Sequence, residues 1–275
     1  MASRYHFYFW VIPLLTLGLL LIAIVKIDIG IPPLEYVTIG FWLGSMFGLT
    51  TLASAWAAFG PEPLLFRLPL SLVWVAMVIG AMLANVALYA VPASELASEL
   101  VIIGSGLLAQ WLLVQLPLWG LVMFYGLRLR HIDSRPQQAD LRERQFGIRQ
   151  LMIFTGLVGV TLGIGRILVG ALSNRFSIDG EGPIFVFLAV AAIVMTLPVL
   201  LAALLPRWAV PATVGMLLIV GLTTVVEVPL LDRIHGGWGP DMWHFFWINA
   251  FTAGWIALVC VVVQRNGYRL ATSRG

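Results

Sequence analysis

Residues 68–92 read LPLSLVWVAMVIGAMLANVALYAVP and contain no Asp, Glu, Lys or Arg. A helix rises 1.5 Å per residue, so about 20 apolar residues cross the roughly 30 Å hydrocarbon core of a bilayer. The whole chain has 275 residues, of which 60% are hydrophobic and 11% are charged. A soluble domain is about 45–50% apolar and about 25% charged. The excess apolar surface therefore predicts that lipid is the solvent for much of the molecule.

Apolar runs of this kind recur along the chain, and they predict an all-α, polytopic membrane helix bundle that forms a single domain over residues 1–275. The eight predicted spans cover residues 7–25, 37–58, 68–92, 101–127, 150–173, 184–205, 209–231 and 243–264. The longest connection, residues 128–149, divides the chain into four spans and four. The first run is longer than a signal peptide and lacks a small-residue cleavage site after it, so we interpret it as a retained span.

Arginine and lysine are distributed unevenly between the two sides of this predicted bundle. Three basic residues fall on one side, namely Lys26, Arg175 and Arg233. Twelve fall on the other, namely Arg4, Arg67, Arg128, Arg130, Arg135, Arg142, Arg144, Arg149, Arg207, Arg265, Arg269 and Arg274. Because short cytoplasmic loops of membrane proteins carry an excess of Lys and Arg, we expect both termini and the 128–149 loop to be cytoplasmic. The same placement accounts for the basic pI without nucleic-acid binding, which would need a basic face on a soluble fold.

Two charged residues, Arg166 and Glu227, fall inside predicted spans. An ionisable side chain in hydrocarbon is expensive and faces protein or water rather than lipid. Arg166 shares a helix face with a row of small residues, namely Gly156, Gly159, Gly163, Gly170 and Ser173, and such faces pack against other helices. We therefore predict an ion pair between Arg166 and Glu227. The alternative is that the long aliphatic side chain of Arg166 reaches outward and places its guanidinium at the membrane surface. Glu227 would then simply lie at the membrane–water interface.

Further polar residues in the spans are candidates for lining a polar site with this pair. They are Asn85, Gln110, Thr223, Thr224 and Asn249. Each is also the kind of side chain that links two helices by a hydrogen bond without binding a ligand. Small residues also form stripes at three- and four-residue spacing, which predict helix-packing faces: Gly40, Gly44 and Gly48 in the second span, Ala76, Gly80 and Ala84 in the third, and Ala250, Ala253, Gly254 and Ala257 in the eighth.

The connection after the seventh span contains two Asp-x-x-His units, Asp232 with His235 and Asp241 with His244. These four side chains are of the type that binds zinc or another divalent metal. The glycines and proline between the units suit an interfacial turn equally well. Since no other catalytic or nucleotide-binding motif is present, we expect no cofactor and do not expect an enzyme.

The segment RQFGIRQL at residues 144–151, followed by a span rich in Gly, Thr and Val, resembles an entry motif of uncharacterised bacterial multi-pass membrane proteins. In that motif a Gln-Phe-Ser-like step and an arginine precede a hydrophobic helix, and here Gly147 stands where serine is usual. The resemblance covers about 25 residues. It implies a bacterial membrane protein, which we expect to lie in the inner membrane, and it carries no implication of an activity.

The sequence supports two leading functions for such a bundle. One is a non-catalytic membrane subunit or scaffold whose 128–149 loop contacts a protein partner. The other is a small-solute permease in which Arg166, Glu227 and the nearby polar side chains bind a small-molecule ligand that the sequence does not identify. An alternative is a membrane-embedded, metal-dependent enzyme that uses residues 232–244. A permease requires that water reaches the polar side chains inside the bundle, whereas a scaffold requires only that these side chains contact one another without water.

Overall fold

The computed structural model describes residues 2–25, 31–60, 63–88, 93–131, 209–235 and 242–272, together with Gly156 and Gly159. Over this part the protein is mostly helical. The elements in chain order are α1 (Ala2–Ile24), α2 (Pro32–Phe59), α3 (Leu64–Leu88), α4 (Ala93–Tyr125), β1 (Leu127–His131), α5 (Ala209–His235), α6 (Met242–Arg265) and β2 (Tyr268–Thr272).

Four helical segments are long and apolar enough to cross a membrane, which confirms the helical class and is compatible with a membrane location. They are Leu34–Phe59, Leu64–Leu88, Gly104–Phe124 and Met242–Arg265. The apolar segments described in α1 and α5 are shorter, at Val11–Ile24 and Leu218–Pro229. The predicted spans at 150–173 and 184–205 lie outside the described residues, apart from Gly156 and Gly159.

Helix α2 lies at the centre of the bundle and packs against α1, α3, α4 and α6. Its glycine stripe forms the α6 contact, as the sequence predicts. A Cβ added at Gly44 would lie 2.6 Å from the carbonyl oxygen of Ile248, and one added at Gly48 would lie 2.9 Å from Cβ of Trp255. Thr252 Oγ1 also donates a hydrogen bond to the Gly44 carbonyl oxygen at 3.2 Å. The missing side chains therefore let the two backbones approach closely, which stabilises helix pairs in lipid.

Helix α3 does not use its predicted stripe in this way. Ala76, Gly80 and Ala84 are exposed, and a Cβ added at Gly80 would meet nothing within 4 Å. The buried face of α3 instead carries Ser71, Val75, Val78, Met82 and Asn85. The packing prediction for this stripe is wrong because larger aliphatic side chains fill the space beside α1, α2 and α4. Spacing alone does not indicate which face a neighbouring helix covers.

A two-stranded antiparallel sheet joins the ends of α4 and α6, and the all-α prediction missed it. Leu129 pairs with Leu270, and Arg130 pairs with Arg269. Leu129 and Leu270 pack against the hydrophobic core, so the arginines occupy the opposite face of the sheet because side chains alternate along a strand. Gly126 precedes β1 with a φ of 63°, a left-handed conformation that favours glycine and ends α4.

The contacts between helices give their directions. Helices α2, α4 and α6 end beside the sheet, whereas α1 and α3 begin there, as shown by the hydrogen bonds from Trp42 to the Ile22 carbonyl oxygen and from Arg67 to that of Gly60. We call this side of the bundle the arginine end, and its described basic residues are Arg4, Arg67, Arg128, Arg130, Arg265 and Arg269. At the opposite end the described basic residue is Arg233, which lies in the last turn of α5.

Candidate functional site

A buried polar cluster connects α5 to α6. Asn249 Nδ2 donates hydrogen bonds to Glu227 Oε2 at 2.6 Å and to Thr224 Oγ1 at 3.1 Å. Thr224 and Glu227 are three residues apart, so they lie on one face of α5. Thr224 Oγ1 in turn donates to the carbonyl oxygen of Val220 at 2.8 Å. The cluster is thus built from three of the side chains that the sequence identified, and it fixes how α5 packs on α6.

Glu227 is enclosed by protein, with 1% of its surface exposed. One carboxyl oxygen accepts the bond from Asn249, and the other, Oε1, has no hydrogen-bond partner among the described residues. A buried carboxylate oxygen carries a large desolvation cost unless it is paired. A further hydrogen-bond donor to Oε1 would therefore add substantial stabilisation.

The predicted partner of Glu227, Arg166, lies outside the described residues, so the ion pair stays a prediction. The partner that the structure does provide, Asn249, was predicted only as part of a polar lining. Its position follows from simple spacing: Glu227 lies eight residues before the end of α5, and Asn249 lies seven residues after the start of α6. Two helices joined by a short connection bring such equidistant positions together.

The other predicted lining residues are not brought to this cluster. Asn85 Nδ2 donates to the carbonyl oxygens of Ala23 at 3.2 Å and Val25 at 2.7 Å, so it caps the end of α1. Thr223 Oγ1 donates to the Ile219 carbonyl oxygen of its own helix, at 2.6 Å. Both side chains donate their hydrogen bonds to backbone carbonyl oxygens of helices. They therefore do not form a common ligand site with the cluster.

Gln110 also forms hydrogen bonds within the helix bundle rather than lining the cluster. Its Nε2 donates to the Phe47 carbonyl oxygen and to Thr51 Oγ1, each at 3.0 Å. Gln110 therefore ties α4 to α2. Gln115 is fully buried on α4, and neither of its amide atoms has a hydrogen-bond partner in the part of the chain that the structure describes.

The predicted metal ligands are only partly described. Asp232 and His235 lie in the last turns of α5, but their side chains, and the whole of Asp241, fall outside the described residues. The His244 ring meets the Tyr36 ring edge-on, with 4.5 Å between ring centroids. Among the described side chains no group of three or more metal-ligating residues is found. The metal site stays a prediction.

Arg67 is a buried cation whose role the sequence did not reveal. The predicted third span began at residue 68, whereas α3 begins at Leu64 and includes Arg67 in its first turn. Only 8% of Arg67 is exposed. Its Nη1 donates to the carbonyl oxygens of Ala58 at 3.0 Å and Gly60 at 2.7 Å, which caps the carbonyl groups at the end of α2. Its guanidinium carbon also lies 5.7 Å from the centroid of the Trp119 ring, a cation–π contact.

An apolar cavity of about 270 Å³ lies in the bundle beside the arginine end, and it is partly open to the surface. Its walls come from α1, α2, α3, α6 and β1, and they include Ala55, Trp56, Trp74, Leu129 and Cys260. Cys260 is the single cysteine of the chain. Because nearly all of the lining groups are apolar, this cavity suits a hydrocarbon ligand better than a polar solute.

Comparisons of the chain with protein-family models, with curated proteins and with solved structures find no match.

Proposed function

We propose that the chain is a multi-pass membrane protein that acts as a non-catalytic subunit or scaffold. The observation that supports this proposal most is the use of the buried amides. Asn85, Gln110 and Asn249 each hold one helix to another, with donor–acceptor distances of 2.6–3.2 Å. Polar side chains that form hydrogen bonds between helices fix the packing of the bundle. A scaffold requires such a fixed framework.

The proposal includes eight spans with both termini cytoplasmic. β1 ends and α5 begins at the same end of the bundle, because α5 and α6 run antiparallel and α6 ends beside β1. This geometry fits an even number of membrane crossings in the chain between β1 and α5. The predicted spans at 150–173 and 184–205 supply two. The concentration of arginine at one end supports assigning that end to the cytoplasm of a bacterial inner membrane.

A scaffold needs a partner, and the 128–149 loop is the proposed contact. Its first residues form β1, in which Arg130 lies on the face opposite to Leu129. The rest of the loop contributes further arginines and lies outside the described residues. A cationic cytoplasmic segment of this composition suits an acidic surface on a second protein.

Site-specific photo-crosslinking in the native membrane tests this partner. A photoreactive amino acid replaces Arg144 in the full chain, and the matched control carries it at Arg233, on the opposite end of the bundle. We expect one discrete protein adduct from position 144 that is missing from position 233. Adducts of the same sizes from both positions, or lipid adducts alone from position 144, would contradict the scaffold proposal.

A small-solute permease is the second candidate, and Glu227 Oε1 favours it. A buried carboxylate oxygen with no partner among the described residues is the kind of group that binds a cation or a proton in a transport pathway. The two proposals differ in one physical property. A permease needs water to reach Glu227 from at least one side, whereas the scaffold keeps Glu227, Thr224 and Asn249 dry.

A further inference from the structure

Three helices meet around the fully buried Gln115 of α4. Helix α3 runs antiparallel to α4, and the guanidinium carbon of Arg67 lies 5.7 Å from the centroid of the Trp119 ring. Because both helices rise by the same distance per residue, four residues forward along α3 and four residues back along α4 reach the same height. Ser71, which belongs to the buried face of α3, therefore lies level with Gln115.

Helix α2 reaches the same point. Ser54 Oγ donates to the carbonyl oxygen of Trp111 at 3.1 Å and lies 3.1 Å from the carbonyl oxygen of Thr50. In an α-helix the Trp111 carbonyl oxygen accepts the backbone N–H of Gln115, so Ser54 lies within the length of a side chain from Gln115. We call the residues around this point the polar junction, and they are Thr50, Ser54, Ser71, Trp111 and Gln115.

The polar junction is enclosed by protein and contains unpaired polar atoms. Trp111 is 6% exposed, and the other four residues are fully buried. In the described part of the chain no hydrogen-bond partner is found for Thr50 Oγ1, for Trp111 Nε1 or for either amide atom of Gln115. Both serine hydroxyls donate to backbone carbonyl oxygens and keep lone pairs that can accept. The junction thus offers free donors and free acceptors together.

The chemistry and size of the polar junction define the ligand that it suits. Its side chains are uncharged, and buried polar atoms of this kind are paired by protein or by ordered water in nearly all structures. The indole of Trp111 donates only, whereas Gln115 Oε1 accepts only, so a molecule that pairs both must accept and donate. The α2 side chains at this height, Ser54 and Ala58, are small and fully buried. A molecule of the size of water fits between helices under these conditions.

We propose that ordered water occupies the polar junction and bridges α2, α3 and α4 at Gln115. A buried water makes about three hydrogen bonds to groups that otherwise lack a partner, and the junction supplies groups of both kinds. This site goes beyond the proposed function and does not depend on the scaffold role. It is separate from Glu227, which lies between α5 and α6, and because the junction is enclosed its water is not a transport path.

The sign of the effect of Gln115→Met tests the proposal. Methionine is unbranched like glutamine but has no strong hydrogen-bonding group. If water pairs the amide, the substitution removes hydrogen bonds and should lower the folding equilibrium constant about two- to tenfold, measured in mixed micelles with an increasing fraction of dodecyl sulfate. If the amide is unpaired, the substitution removes a desolvated group and raises this constant about fivefold or more. An unchanged or raised constant would overturn the proposal.

Leu118→Met is the matched control for this variant. Leu118 is fully buried on the same helix, and exchange of leucine for methionine conserves the side-chain volume. The effect of Gln115→Met is therefore measured relative to Leu118→Met. If Gln115→Met does not purify as a folded protein, Thr50→Val removes the unpaired hydroxyl of α2 instead, and a constant that is not lowered contradicts the water site in the same way.

Hydroxyl-radical labelling detects the water directly, because radiolysis of a bound water oxidises the side chains beside it. Trp111 and Trp255 are 6% and 8% exposed, but Trp255 Nε1 already donates to Ser45 Oγ at 2.8 Å. In the folded full chain we expect Trp111 to be oxidised several-fold faster than Trp255, and Gln115→Met to remove most of this difference. Equal oxidation of the two tryptophans, or a ratio that Gln115→Met leaves unchanged, would refute the water site.

Discussion

Substitution of Gly44 by alanine tests the close contact between α2 and α6. The added Cβ would lie 2.6 Å from the Ile248 carbonyl oxygen, 2.8 Å from Phe251 Cβ and 3.1 Å from the Thr252 backbone nitrogen. Ordinary carbon–oxygen contacts are about 3.3–3.6 Å, so α6 must move away by roughly 0.7–1 Å. Two of the three obstructing atoms belong to the backbone and cannot rotate out of the way.

The expected loss of stability follows from two opposing terms. Overpacking of this kind costs about 1–3 kcal/mol, whereas alanine is favoured over glycine in a helix by about 1 kcal/mol. Moving α6 also weakens the hydrogen bond from Thr252 to the Gly44 carbonyl group and loosens the neighbouring contacts of Gly40 and Gly48. The two terms leave a net loss of about 0–2 kcal/mol, and the weakened hydrogen bond places Gly44→Ala in the upper half of that range, at about 1–2 kcal/mol.

The assay is unfolding in mixed micelles with an increasing fraction of dodecyl sulfate, followed by far-ultraviolet circular dichroism. Gly254→Ala is the matched control on α6, because a Cβ added there would meet nothing within 4 Å. Gly254→Ala should be neutral or slightly stabilising. If Gly44→Ala proves as stable as Gly254→Ala, the close approach of α2 and α6 is wrong.

Three further changes test other contacts. Arg67→Leu removes the donor that caps the Ala58 and Gly60 carbonyl groups and should cost about 1.5–3 kcal/mol in the same unfolding assay; no loss would contradict the cap. Asn85→Leu removes the cap of α1 and should cost about 0.6–1.7 kcal/mol, a range that a neutral result would refute. Gly267→Ala forces a side chain onto a φ of 80° and should speed hydrogen exchange of the β2 amides, whereas unchanged exchange would contradict the turn conformation.

The four helices that are long and apolar enough to cross a membrane could be predicted from the sequence because they follow from the cost of placing charge in hydrocarbon. That cost is local, so a single sequence reveals it. The α2 stripe could be predicted for a related reason, since three glycines at four-residue spacing leave a groove that only a close backbone contact fills. The buried residues Asn249 and Glu227 were also recognised from their polar character alone.

The features that the sequence did not reveal depend on distant parts of the chain. β1 and β2 are more than 130 residues apart, and the five residues Leu-Arg-Leu-Arg-His of β1 do not identify their pairing partner. The Ala76, Gly80 and Ala84 stripe has the same spacing as the α2 stripe but faces outward, because packing depends on the neighbouring helix. The sequence places Arg67 before the third span because the contact of its guanidinium with the Trp119 ring is a tertiary one, which spacing along the chain does not reveal.

The most direct test of a sealed polar interior measures whether water reaches Glu227. Thr224 is 1% exposed and accepts a hydrogen bond from Asn249 within the cluster that contains Glu227. Thr224→Cys, in a chain whose native Cys260 is replaced by alanine, provides one thiol at this position. A small charged thiol reagent is applied to each side of sealed vesicles, with Arg233→Cys in the same background as the exposed control.

We expect the control to react from one side and the thiol at position 224 to react from neither side until the protein is unfolded. Reaction at position 224 at a rate close to that of the control, from either side of the folded protein, would show a water path to Glu227. That result would contradict the scaffold and favour the permease.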